Sequence, residues 1–391
     1  MMKSPVDKTA WEIVKFGSMI DSVTNRVDNP SEAGVDRYVG LEHLDPGSMT
    51  VKRWGTPDQV EATKLLFESG DVIFGRRRAY QKKVSMADFS GICSAHALVL
   101  RGKPDLIDPL FLPVFLSSDY FLNRAIKISV GSLSPTVNWK NLEVQKFKFP
   151  PIEQQKSIAS LFWKIETAID NLKIMRLKAH EALQAFRHVK YSTSSLVPLS
   201  ARSIVERGVS WSAKQQVTDG TGVPVVGIPN VREGFLDLQD PTYISGVSEK
   251  VVKASQLSDL SILMVGSNGN PERIGNVALC DKSTEGFLPA SFLIHIQGLD
   301  IIKAKFLFEM LMSRDIQSQI TNIVEGSTGL KNLAITWVRD LPVPGDSNQD
   351  ASIFLSEVEL FKKVVVKIDE EILMARQLRE SILEELFGGE K

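Results

Sequence analysis

The phrase GSLSPTVNWKNLEVQKFKFP, beginning at Gly131, returns as GSTGLKNLAITWVRDLPVP at Gly326, 195 residues later. Internal repetition constrains architecture more than any local motif, because each copy must be a unit that folds in the same way. The same offset relates GICSAHALVLRG from Gly91 to GFLPASFLIHIQG from Gly286. Further upstream RYVGLEHLD at Arg37 resembles PVVGIPNVR at Pro224, and GDVIFGRRRAYQKKV pairs loosely with DLSILMVGSNGNPERIGNV, so short insertions lie between these blocks. The copies share apolar patterning and glycine position, while their polar tips differ. Two similar scaffolds with unlike surfaces suit the recognition of two different things.

After each copy comes a long stretch of helical period. Leu161, Phe162, Ile165, Ile169, Leu172, Met175, Ala179, Leu183 and Phe186 form one apolar stripe, and Phe354, Val358, Phe361, Val365, Ile368, Ile372, Ala375, Leu378 and Ile382 form another. Neither stretch contains an internal proline or glycine, and the first predicts a helix of about ten turns after the Pro150-Pro151 pair. Stripes this long and narrow suit packing against another long helix, so the expectation is that the two pair with each other. Between them, short β-rich runs such as GDVIFG, ALVLRG, VPVVGIP and LSILMVG alternate with turn residues. One shorter helix is expected in DPLFLPVFLSSDYFLNRAI and one in IIKAKFLFEMLMSRDIQSQITNI.

Composition sets broad limits. With 391 residues the chain can bury two or three cores, and a formal net charge of −1 excludes a uniformly basic nucleic-acid binder while leaving room for local basic patches. Cys93 and Cys280 stand alone, and His43, His96, His180, His188 and His295 show no metal-ligand spacing. No Walker A loop is present, nor the glycine-rich cofactor loop with an Asn/Asp-Pro-Pro-aromatic segment that an adenine methyltransferase needs. The expectation is therefore a chain that does not itself hydrolyse ATP, with no cofactor and no metal. The opening MMKSPVDKTAWEIVKF lacks the apolar core of a signal peptide, and no stretch approaches the ~20 apolar residues that span a bilayer, which points to a cytoplasmic location and no membrane partner.

The most chemical stretch is Arg76, Arg77 and Arg78, followed by Tyr80, Lys82 and Lys83. Residues 75–103 hold seven basic side chains against one acidic, Asp88, a net of +6. Such a cluster neutralises phosphates without regard to sequence, and one arginine could reach a guanine edge; a solvated strand-turn is the other reading. At the related place the second copy carries Ser267, Asn268, Asn270 and Arg273, where asparagine can pair with adenine or simply build a turn. The glycine-serine loops offer Ser132, Ser134 and Thr136 in one copy and Ser327, Thr328 and Lys331 in the other, suited to phosphate contact, while Gly131 and Gly326 also serve wherever special backbone angles are needed.

The order globule, long helix, globule, long helix, carried by GSLSPTVNWKNLEVQKFKFPPIEQQKSIASLF, by GSTGLKNLAITWVRDLPVP and by the block GDVIFGRRRAYQKKVSMADFSGICSAHALVLRG, resembles the DNA specificity subunit of type I restriction-modification systems. The openings WEIVKFGSMIDSV and GIPNVREGFLD are also similar to that family's domains, and the likeness runs along nearly the whole chain. The second copy departs from it in replacing PPIEQQ by VPGDSNQD. The resemblance implies a non-catalytic protein whose two target recognition domains each read one half of a split sequence in double-stranded DNA. It also implies helices that fix the separation of the two, with two modification (methyltransferase) subunits and restriction/translocase subunits as partners.

The resulting expectation is an α+β fold, with two similar mixed α/β target recognition domains at 1–150 and 195–346. They alternate with a central helix at 151–194 and a C-terminal helix at 347–391, which pair as an antiparallel coiled coil. A degenerate or fused methyltransferase is the rival reading from another class, and cofactor binding by the isolated chain would favour it. A protein-binding scaffold is a third, set apart by whether the chain binds DNA selectively.

Overall fold

The computed structural model describes residues 7–325 and 332–388. The chain divides into two compact units, Met1–Ile174 with Ile368–Lys391, and Met175–Lys367. Each unit is built on a four-stranded antiparallel sheet. In the first, β1 (Ile20–Val23), β2 (Val72–Phe74), β3 (Val84–Met86) and β4 (Leu98–Gly102) lie in the order β1-β4-β2-β3. In the second, β5 (Ser203–Arg207), β6 (Ser261–Val265), β7 (Val277–Leu279) and β8 (Leu293–Gly298) lie in the matching order β5-β8-β6-β7. The inner strands β2 and β6 are buried along their length, which is why VIF and SILMV read as continuous apolar runs rather than alternating ones.

A second, smaller sheet in each unit shows where the copies part. In the first unit Tyr38–Val39 runs parallel to Gly91–Ser94, and Lys64–Phe67 adds to Gly91–Ser94. In the second unit the parallel pair is kept between Val223–Val226 and Leu288–Pro289, but Thr242–Ile244 adds to Val223–Val226 instead. The common core is thus decorated by differently ordered outer strands. In both units a two-stranded ribbon ties the first segment to the last: Glu12–Lys15 pairs with Lys146–Phe149, and Leu196–Pro198 with Pro342–Pro344. Each globule is therefore closed at its base, directly beside a long helix.

Those helices are α1 (Ile152–Thr193) and α2 (Asn348–Phe387). α1 starts immediately after Pro151, where the missing N–H costs nothing. Gln154 and Gln155 explain the PPIEQQ motif: Gln154 accepts from the Trp11 indole at 2.9 Å, while buried Gln155 donates to Pro150 and Leu106 carbonyls and accepts from the Asp108 amide. α2 has a different start with the same effect. Ser347 accepts from the Asp350 amide at 3.2 Å and donates to its carboxylate at 2.7 Å, and Asn348 donates to Asp300.

The helices pair antiparallel within each unit. In the first, the early part of α1 and the end of α2 share a core in which Phe387 packs on Trp11, Phe111 and Phe115, with Phe162 in the same cluster. In the second, the end of α1 meets the start of α2, with Phe186 stacked on Phe354 at 5.0 Å. Leu161, Met175 and Leu378, expected on the seam, are instead 45%, 54% and 55% exposed. Beside Leu378, the buried position belongs to Arg379.

Each expected short helix is two. Ser118 breaks the first into Phe111–Ser117 and Asp119–Lys127, its hydroxyl accepting from the Phe121 amide. Ser313 precedes Arg314–Glu325 and separates it from Ile301–Leu311, accepting from the Ile316 amide. A capping serine satisfies amides that a continuous helix would satisfy internally, so an apolar period can run on while the backbone breaks.

His295 on β8 is buried and 2.8 Å from the Ser261 hydroxyl on β6. Burial pushes its pKa down to about 4. Because the unfolded chain takes the proton first, near pH 6.5, stability is full above that pH and falls as the pH drops toward 4. The expected loss is on the order of 3 kcal/mol at and below pH 4, and His295→Phe should remove that acid sensitivity in urea unfolding at a series of pH values.

Candidate nucleic-acid interface

The strongest basic cluster sits on the β2–β3 connection. Arg77 forms an antiparallel bridge with Thr136, the Arg78 amide donates to the Pro135 carbonyl at 2.7 Å, and the Val137 amide donates to the Arg76 carbonyl at 2.9 Å. The arginine turn and the Gly131 loop, far apart in sequence, are thereby fused into one surface. Ser134 lies under the guanidiniums of Arg77 and Arg78, at 3.3 and 3.4 Å. Thr136, half-buried, donates to the Ser134 carbonyl, while Ser132 is exposed.

Arg78 and Lys82 both adopt left-handed backbone angles, φ +57° and +53°, on either side of a tight turn at Ala79–Gln81. A side-chain-bearing residue there costs about 1–3 kcal/mol, and the surrounding bonds must enforce it. Tyr80 projects from the turn, 54% exposed. Not every cation is free. Lys82 pairs with Asp119 at 2.7 Å, Lys83 donates to the Leu41 carbonyl at 2.6 Å, and Arg101 forms a two-pronged pair with buried Asp71. Arg76 differs, since its Nε is buried with no hydrogen-bond partner among the described residues.

The second unit builds the equivalent place on the β6–β7 connection. Ser267 bridges Asn332 antiparallel, and the Leu333 amide donates to the Gly266 carbonyl at 2.8 Å. Backbone pairing is thus the same in the two copies, while the side chains are unlike. Asn268 accepts from the Asn270 amide, and Asn270 caps the Pro271–Arg273 turn by accepting from the Glu272 amide. Arg273 points back into the protein, donating to the carbonyls of Ile228 and Val231 at 2.9 and 3.0 Å. Ser327, Thr328 and Lys331 lie outside the described residues.

Three elements here were not singled out from the sequence. The turn before β4 brings His96 against the arginines, its carbonyl accepting from the Arg77 amide at 3.4 Å. Partial burial, then Arg77, Arg76 and Lys64, hold its pKa below the ordinary histidine value. The corresponding turn before β8 presents Phe292, 58% exposed, whose carbonyl accepts from the Gly266 amide at 2.9 Å. Arg207 on β5 donates to the Asn332 side chain at 2.9 Å. The signal for His96 and Phe292 was the GICSAHALVLRG and GFLPASFLIHIQG pair itself, in which these turns differ most in chemistry. Among the described residues there is no cluster of metal-ligating side chains and no helix long and apolar enough to cross a membrane.

Two copies of one closed scaffold each offer a loop cluster at the same strand ends, with different side chains. Residues 9–179 match the family described as the type I restriction modification DNA specificity domain. The first part of the chain is thus similar to that specificity family. It is 25% identical over 150 residues to the EcoDI specificity subunit of Escherichia coli, a match covering 38% of this chain and 33% of that protein, about a third of the relative's length. Fold likeness extends further. A solved chain described under complex assembly and conformational transition of the type I R-M system matches with a TM-score of 0.64 at 16% identity, over 98% of this chain and 99% of that one. The type I restriction-modification S subunit from M. genitalium matches with a TM-score of 0.50 at 15% identity, over 99% and 98%.

Proposed function

We propose that this chain is the sequence-recognition subunit of a type I restriction-modification complex, reading a bipartite target in double-stranded DNA with one half-site per globule. The observation that carries this reading is the paired construction at Arg77–Thr136 and Ser267–Asn332: one backbone arrangement, two sets of side chains. The recognition domains are 1–150 and 195–346, and the helical segments 151–194 and 347–391 act as spacers. Arg76, Arg77 and Arg78 contact phosphate or a guanine edge, with Ser132, Ser134 and Tyr80 beside them; Ser267, Asn268 and Asn270 serve the second half-site. The chain is non-catalytic, works in the cytoplasm, and docks two modification subunits as well as the restriction subunits.

Replacing Arg76, Arg77 and Arg78 together by alanine is expected to weaken DNA binding and flatten its salt dependence. Each lost phosphate contact reduces the slope of log affinity against log salt by about 0.9, so up to about 2.7 for three. Binding titrations over a salt series with the full chain, on duplexes selected from a random pool, measure this. An unchanged slope and affinity in the folded variant would reduce the cluster to a solvated turn. Absence of any sequence-selective binding by the unmodified chain, alone or with its modification partners, would defeat the recognition reading and favour a scaffold.

A further inference from the structure

Leu133, at the tip of the Gly131 loop, is 92% exposed, more than any other large apolar side chain described. Its exposure is built in. Val130 and Thr136 exchange amide-to-carbonyl hydrogen bonds at 3.0 Å in both directions, Gly131 takes φ +110°, and the Pro135 carbonyl is held by the Arg78 amide. Ser134, the next residue, lies under two guanidiniums. A leucine held out in water from a turn fixed on both sides gives up burial that most leucines obtain. The partner that covers it must tolerate a setting dominated by Arg76, Arg77 and Arg78, which selects a polyanion carrying a local apolar feature. In the major groove of DNA that feature is the C5-methyl group of thymine.

Building on the recognition reading above, we infer that Leu133 is a specificity-determining residue that packs on a thymine methyl in the half-site read by the first globule. The short side chains of Ser132 and Ser134 flank it and allow the loop to approach the base edge.

The test uses the full-length chain and a target duplex recovered by selection from a random pool, with each thymine replaced in turn by deoxyuridine, which lacks only the methyl. One substitution, confined to one half-site, is expected to weaken binding about fourfold, the value of one buried methyl group. Leu133→Ala should bind the thymine and deoxyuridine duplexes equally, and Leu133→Met, which keeps an apolar reach, should retain the preference. If Leu133→Ala still discriminates at that position, the inference is overturned. It is also overturned if selective binding is intact but no deoxyuridine matters, or if 2-aminopurine beside the site brightens with the unmodified chain and not with Leu133→Ala, which would make Leu133 a wedge between base pairs. Failure of the unmodified chain to select any sequence would bring down the recognition reading as well, so the two failures are distinguishable.

Discussion

Arg187→Ala is expected to lower the stability of the second unit by about 3–5 kcal/mol. Arg187 on α1 and Glu309 on the Ile301–Leu311 helix form an ion pair at 2.5 Å, their side chains 6% and 2% exposed. Lys362 on α2 reaches the other oxygen of Glu309 at 2.6 Å but is itself 40% exposed. Removing the arginine leaves a buried carboxylate with one half-solvated partner, and the desolvation of that charge is no longer offset. Removing both charges has a different consequence: Arg187→Met with Glu309→Leu should recover most of the loss, since an apolar pair of similar volume fills the site without a charge to desolvate. Urea unfolding of the three proteins decides the matter. A loss below 1 kcal/mol for Arg187→Ala would mean that Lys362 alone satisfies Glu309.

The first unit uses an analogous device. Glu166 on α1 pairs with Arg379 on α2 at 3.1 Å, and both reach the 45–50 loop, where Arg379 donates to the Gly47 carbonyl and Glu166 accepts from the Met49 amide. Apolar seams tolerate sliding by a turn, whereas a buried charge has one acceptable partner, so these pairs fix the register of the two helices within each unit. They also explain what the sequence hid. The helical period of α1 and α2 was legible because apolar residues recur every three or four positions. Arg379, Glu166 and Arg187 are buried on those same helices, and a hydropathy pattern scores them as solvent-facing. The apolar pattern therefore puts Leu378 on the seam that Arg379 occupies.

The repeat was legible for a related reason. The runs VIF, SILMV, LVL and LIHI are dictated by burial, which both copies need. The exchange of partner strands in the smaller sheets was not, because strands of two to four residues carry too few apolar positions to specify a neighbour. At the candidate interface, residue type identified the arginine turn. It could not tell that Lys83, Arg101 and Arg273 are occupied by carbonyls or carboxylates of the same unit, nor that the arginine turn and the Gly131 loop meet. Those facts depend on strand pairing between distant segments.

Exchanging residues 195–346 for the corresponding segment of a relative with another specificity is expected to change one half of the recognised sequence and leave the other as it was. The ribbon of Leu196–Pro198 with Pro342–Pro344 closes that globule at its base, so a graft cut just outside it keeps this strand pair intact. The retained helix α1 contributes Arg187 and Phe186 to the second unit, and α2 contributes Phe354 and Lys362; a donor segment must therefore supply an acid at the place of Glu309 and an aromatic at the place of Phe306, or the graft will unfold before it can misread. In a folded hybrid the effect on specificity should be large. Each mismatched base pair costs about 1–3 kcal/mol, so even two wrong pairs in the old half-site separate hybrid from parent by about 30-fold to about 2 × 10⁴-fold. Selection from a random pool, run in parallel on parent and hybrid, reads both halves at once. Were both halves to change together, recognition would reside in the helices or in a surface shared by the two globules, and the assignment of one half-site to each paired-loop cluster would have to be withdrawn.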